Sequence, residues 1–136
     1  MIPCSGFIIM SNDKKSTIIV STHHNNLGFP KGKRHKDEPM ITTALRELEE
    51  ETGLTSDKID IIDNLYFDEM SIRGNPATRY FIGIIKSDNS NTFIFDNDEL
   101  NDVKWMSCND LFKSDRFREN RKIILNQVLS KLNTSD

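Results

Sequence analysis

The chain has 136 residues, 36% hydrophobic and 29% charged, with a formal net charge of −3 at pH 7. That is ordinary globular composition, long enough to bury a core within a single domain over residues 1–136; the charge gives no reason to expect a bulk polyanion binder, although a local basic patch could still grip phosphate, and no DNA partner is expected. Cys4 and Cys108 match neither a disulfide framework nor a zinc spacing, no apolar run is long enough to span a membrane and no signal pattern is read, so a soluble protein of the reducing cytoplasm, with no membrane partner, is expected.

Residues 6–10 and 17–21 read as two strands of a hairpin around the polar turn Ser11-Asn12-Asp13-Lys14-Lys15. A long loop follows. Its stretch GFPKGKRHKDE, residues 28–38, sets Lys31, Lys33, Arg34 and Lys36 beside two glycines that allow close backbone approach, and it leads into a helix N-terminus, an arrangement suited to phosphate. Pro39 fits the first helical turn with Glu38 as a non-helical cap, and Gly53 fits the C-terminal end. Residues 59–62, 65–72 and 78–86 read as strands, the last two joined at Arg73-Gly74-Asn75-Pro76, and 93–95 and 103–106 as further short strands. Ile124, Leu125, Val128, Leu129 and Leu132 recur at helical spacing within residues 116–132. This order predicts a mixed sheet flanked by helices, of α+β or layered α/β class.

The helix after Pro39 carries RELEEETG, residues 46–53. At about 100° per residue, Glu50 falls roughly 300° and Glu51 roughly 40° from Glu47, so three carboxylates share one face while Glu49 points away. Ile41, Ala44, Leu45 and Leu48 fill the neighbouring arc, a stripe suited to packing on a sheet. Like charges at this spacing repel. A solvated face tolerates them, and so does a cation site; spacing alone does not decide. The basic loop opposite them shifts the balance, because a divalent cation carrying a polyphosphate would bridge the two. Oxygen ligands of this kind suit Mg2+ or Mn2+.

From Gly32 to Leu54 the chain reads G-x5-E-x7-R-E-L-x-E-E-x-G-L, which resembles the complete signature of the Nudix hydrolases. The resemblance implies an α/β/α sandwich and hydrolysis, at a pyrophosphate bond, of a nucleoside diphosphate linked to another group. It also implies Glu47, Glu50 and Glu51 as metal-binding carboxylates, Gly32 as a metal-contacting carbonyl, Arg46 as the residue that orients a glutamate by salt bridge, and Glu38 as a support behind the site. The proton-accepting carboxylate stays open between Glu50, Glu51 and a group outside the signature. Glu99 is that outside candidate, because ELNDVKW (residues 99–105) resembles the segment of several family members in which a loop glutamate precedes a short strand ending in tryptophan; Asp98 is its rival and an exposed acidic turn the bland alternative.

GFPKGK, with Lys36 and Glu38, resembles the catalytic core of mRNA-decapping Nudix enzymes, which implies a capped RNA or cap-like nucleotide as substrate. Diphosphoinositol polyphosphate hydrolases share Phe-Pro-Lys-Gly, and diadenosine-tetraphosphate hydrolases share a Pro-Lys-Gly core and a similar length. A nucleotide-sensing module that does not cut is the non-enzyme alternative, disfavoured by the intact carboxylates. Lys31, Lys33 and Arg34 are expected to meet substrate phosphates and Tyr80 to offer a ring contact. Arg116, Arg118, Arg121 and Lys122 form a basic cluster that either follows an RNA backbone or is simply a solvated face.

Overall fold

The computed structural model describes residues 2–86 and 92–134. Strand β1 (Cys4–Met10) is apolar and buried on both faces, which marks it as the centre of a sheet covered on two sides. Its alternation sorts the core. Phe7 and Ile9 pack with Ala44 and Leu48 of helix α1 (Met40–Thr52), whereas Ile8 and Met10 pack with Leu125 and Val128 of the C-terminal helix, residues Glu119–Thr134. Each such side chain, taken wholly out of water, contributes about 1.5–3 kcal/mol.

The remaining strands are β2 (Ser16–Ser21), β3 (Leu27–Gly28), β4 (Lys31–Lys33), β5 (Ile59–Met70), β6 (Pro76–Ile85) and β7 (Asp102–Ser107); helix α2 (Cys108–Lys113) precedes the C-terminal helix, α3. Among the described residues they form one mixed sheet in the order β3-β2-β1-β6-β5, with β4 also on β1 and β7 also on β2. The β1–β6 pair is parallel and the other pairs are antiparallel. The expected mixed sheet between helices is therefore the observed architecture.

Several local expectations shift, each for a physical reason. The β1–β2 hairpin stays paired near its turn, at Met10 opposite Thr17, and then opens. The presumed long loop fills the opening with two short strands, β3 on β2 and β4 on β1. Gly6 makes that possible, because a Cβ there would lie 2.2 Å from the Pro30 carbonyl oxygen. The two strands expected at 59–62 and 65–72 are one strand, β5, bent by an irregularity between Ile61 and Tyr66 where Asn64 takes a positive φ of 59°. Residues 93–95 form no strand; Phe93 packs on Trp105, at a ring distance of 6.4 Å, and the Ile94 amide donates to the Thr52 carbonyl. Helix α3 starts at Glu119, so Arg116 and Arg118 precede it.

Two residues expected to face a ligand are interior. Tyr80 is fully buried and its hydroxyl donates to Glu69 Oε1 at 3.0 Å. Arg121 donates from Nε to the same oxygen at 3.1 Å and from Nη1 to the Leu27 carbonyl at 2.8 Å, with the arginine and glutamate side chains each 9% exposed. The group joins β5, β6, β3 and α3, and its charges are satisfied within the protein. A buried pair is costly to break from one side. Arg121→Met is expected to lower the urea-unfolding free energy by ~3 kcal/mol or more, and adding Glu69→Gln should restore part of that loss; strictly additive losses would show that the two charges are not coupled.

Candidate active site

Helix α1 presents its carboxylates where the β4 segment crosses its face. The helix N-cap is Pro39, extended at φ −60° and ψ 148°, and it makes no side-chain cap bond. Glu38 is therefore not the cap expected of it. Its carboxylate is used elsewhere: it accepts from the His35 amide at 3.1 Å, Thr43 Oγ1 at 2.7 Å, and Arg46 Nε and Nη2 at 3.0 and 2.9 Å. The Arg46 fork and the Thr43 hydroxyl hold this carboxyl well below the usual range. Gly53, at φ 83°, closes the helix as expected, its amide donating to the Glu49 carbonyl.

Arg46 is the hub. Beyond Glu38, its Nη1 reaches Glu47 Oε1 at 3.0 Å and Glu50 Oε1 at 3.4 Å, and its Nη2 donates to the Lys33 carbonyl at 2.9 Å. Gly32 lies directly against Glu47, since a Cβ on it would meet the carboxylate carbon at 2.0 Å. Glu51 is turned inward and accepts from the Lys31 amide at 3.0 Å. Burial pushes its carboxyl up to about 8, with the charges of Glu47 and Glu99 adding to the rise and the Lys31 amide and ammonium opposing it. Glu47 is also raised, by burial first and then by Glu50.

Glu99 sits in the turn at residues 97–99, with its amide donating to the Asp96 carbonyl at 3.1 Å. Its charge adds to the rise at both Glu47 and Glu51, and its neighbour Leu100 lines the cavity beside Glu51. A small cavity beside Glu51 is lined by Gly28, Phe29, Lys31, Leu100 and Arg118. Lys33 is exposed, and the Arg34 guanidinium lies against the Met40 sulfur.

The basic cluster is divided by the fold. Arg116 is held by the Asn25 carbonyl and the Ser21 hydroxyl, Arg121 is interior, and Lys122 faces outward with Glu119 and Ile123; Arg118 reaches the cleft. Sequence reading passed over Thr43 and the Lys31 amide. Neither carries a compositional signal, because each matters only through the carboxylate that folding brings to it.

All the donors gathered here are oxygens, the set that a hard divalent cation takes. Among the described residues no three acidic, histidine or cysteine side chains are yet assembled at metal-holding distance, because Glu47 and Glu50 are turned to Arg46 and Glu51 to Lys31. A cation would draw them from those partners.

The NUDIX domain model matches residues 4–128. This chain belongs to the Nudix family. The chain is 33% identical over 115 residues to the mRNA decapping complex subunit 2 of Schizosaccharomyces pombe, covering 81% of this chain and 15% of that protein. It is 31% identical over 128 residues to the m7GpppN-mRNA hydrolase of Saccharomyces cerevisiae, covering 91% of this chain and 12% of that protein. The chain thus spans less than a sixth of either relative. In fold it is similar to a C. elegans Ap4A hydrolase in a binary complex (TM-score 0.81, 16% identity, 96% of this chain and 98% of that one). It is also similar to the NUDIX domain of Shewanella oneidensis NrtR with ADP ribose (TM-score 0.71, 18% identity, 97% and 88%). Nudix hydrolases generally use divalent metal ions.

The burial of Glu51 has a thermal signature. Its folded carboxyl titrates near 8 against an ordinary 4.5, so the folded state holds an extra proton between those values and metal-free stability falls as pH rises through that window. In a chelator, Glu51→Gln is expected to melt several degrees above the parent at pH 8 and level with it at pH 4. Mg2+ should raise the parent's melting temperature more than the variant's; equal melting curves at pH 8 would contradict this reading.

Proposed function

We propose that this Nudix domain is a divalent-metal-dependent pyrophosphohydrolase, and that its substrate is the 5′ cap of RNA, in the manner of mRNA decapping. The observation that carries the hydrolase reading is the junction of basic loop and acidic helix at Lys31, whose amide fixes Glu51 while its side chain lines the cavity beside that carboxylate. Two further features support the cap. One is the similarity to proteins named for decapping over 81% and 91% of this chain, and the other is the GFPKGK loop that forms β3 and β4.

Glu47, Glu50, Glu51 and the Gly32 carbonyl would hold the ion, Mg2+ or Mn2+. When bound, it neutralises phosphoryl oxygens and lowers the pKa of water. Lys31 and Lys33 bind substrate phosphate from the loop side. Water attacks phosphorus, the phosphorus–oxygen bond of the anhydride breaks, the leaving phosphate departs as an anion, and the proton from water passes to a carboxylate. We assign that base to Glu99: it stands at the cleft yet outside the metal-binding set, so its basicity is not spent on a cation. Arg46 and Glu38 position the acidic turn. The unpaired thiols Cys4 and Cys108 accord with action in the cytoplasm.

Glu50→Gln or Glu51→Gln should abolish most turnover with the fold intact, measured as cap release together with circular dichroism. Glu99→Gln should lower kcat by ~10²–10⁴-fold with metal affinity retained by calorimetry; an unchanged kcat would reject Glu99 as the base. Ranking kcat/KM across capped RNA, free cap dinucleotide, diadenosine tetraphosphate, nucleoside triphosphates and diphosphoinositol phosphates tests the substrate. Preference for diadenosine tetraphosphate, nucleoside triphosphates or diphosphoinositol phosphates over capped RNA overturns the cap, and binding without cleavage of any of them overturns the enzyme.

A further inference from the structure

A second, wider groove of ≈ 560 Å³ lies between the start of β1, the β5–β6 hairpin and the start of α3. This is within the size range of ligand pockets, about 300–1,000 Å³. Lys31, Arg118 and Arg121 line both this groove and the cavity at Glu51, so the two meet across those side chains. Glu51 stands on one side of the junction and Arg73, in the hairpin turn, on the other.

The walls of the groove differ in chemistry. Arg121 is neutralised by Glu69, but among the described residues neither Arg73 nor Arg118 has an ion-pair partner. Asn120 Oδ1, in the same wall, is a buried acceptor without a donor among the described residues. Met70 is 46% exposed and Ile72 wholly exposed at the rim, so apolar surface lies beside the cations. Separated cations, an unmet acceptor and apolar faces together match a chain that repeats phosphate, hydroxyl and ring.

We propose that this groove holds the nucleotides that continue from the far side of the scissile pyrophosphate, the first residues of a single-stranded RNA body. Their phosphates meet Arg118 and Arg73, a ribose or base donor meets Asn120, and bases rest on Met70 and Ile72. The inference rests on the capped-RNA reading and adds a path to it. That path leaves the active site past Arg118 toward the β5–β6 hairpin, not along the outer face of α3.

Fluorescence anisotropy in a Glu50→Gln background, which removes turnover, tests the path with capped oligoribonucleotides of one, two and four nucleotides. The dissociation constant should tighten roughly five- to tenfold from one to four nucleotides. Arg73→Glu and Ile72→Asp, both on the exposed hairpin, should erase most of that gain, with circular dichroism confirming the fold. A gain undiminished in both variants overturns the groove while leaving the capped-RNA reading standing. Binding of no oligonucleotide overturns both, and binding of a poly-glutamate peptide more tightly than the four-nucleotide RNA overturns the assignment to RNA.

Discussion

The fork between Arg46 and Glu38 sets the terms for the rest of the site. Helix α1 brings Glu47, Glu50 and Glu51 onto one turn, where mutual repulsion would otherwise fray the helix or splay the side chains. One guanidinium answers several demands at once. It donates to both oxygens of Glu38 as a bidentate partner, touches Glu47 and Glu50, and ties the Lys33 carbonyl of β4 to the helix. A lysine would offer a point charge without the planar fork, so it could not hold the loop and the two neighbouring glutamates in one geometry.

That clamp works because β4 is itself fixed. Its three residues pair with the first half of β1, and the close approach at Gly6 brings the Pro30 carbonyl onto the strand, where it accepts from the Phe7 amide at 3.1 Å. The central strand, rigid through burial on both faces, thus carries the basic loop on its edge and α1 on its face. Lys31 consequently faces two ways. Its amide orders Glu51, and its side chain borders both the small cavity and the wider groove.

Much of this was legible from the residues. The apolar stripe of α1 and the spacing of Ile124, Leu125, Val128 and Leu132 are periodic signals, and periodicity survives without knowledge of the partner; residues 6–10 were legible as a short apolar run ended by a polar turn. The signature from Gly32 to Leu54 was legible because its residue types are fixed by chemistry at fixed spacing. What escaped were features defined by tertiary pairing. Strands of two and three residues have no period to read, so β3 and β4 looked like loop. Arg121 stands among charged neighbours in sequence, yet only the fold reveals that Glu69 lies opposite it; Tyr80, on a strand where core packing competes with a ring contact, is assigned to the core only by the same pairing. Asn64 bends β5 without ending it, because pairing with β6 resumes on the far side of the irregularity.

Two acidic groups of this molecule, Glu69 and Glu51, are compensated differently. Glu69 receives an arginine and a tyrosine hydroxyl, and its charge is fully answered by the protein. Glu51, similarly withdrawn from water, receives one backbone amide and stands near Glu47 and Glu99, whose charges oppose its ionisation. The same fold therefore supplies a complete set of partners in one place and withholds it in another. A carboxylate left under-compensated beside like charges is destabilising, and a structural role would gain nothing from that. In the proposed metal-bound state a cation would resolve the imbalance: it would turn the repulsion among three glutamates into shared attraction, so that binding the ion and stabilising this end of α1 would become one event.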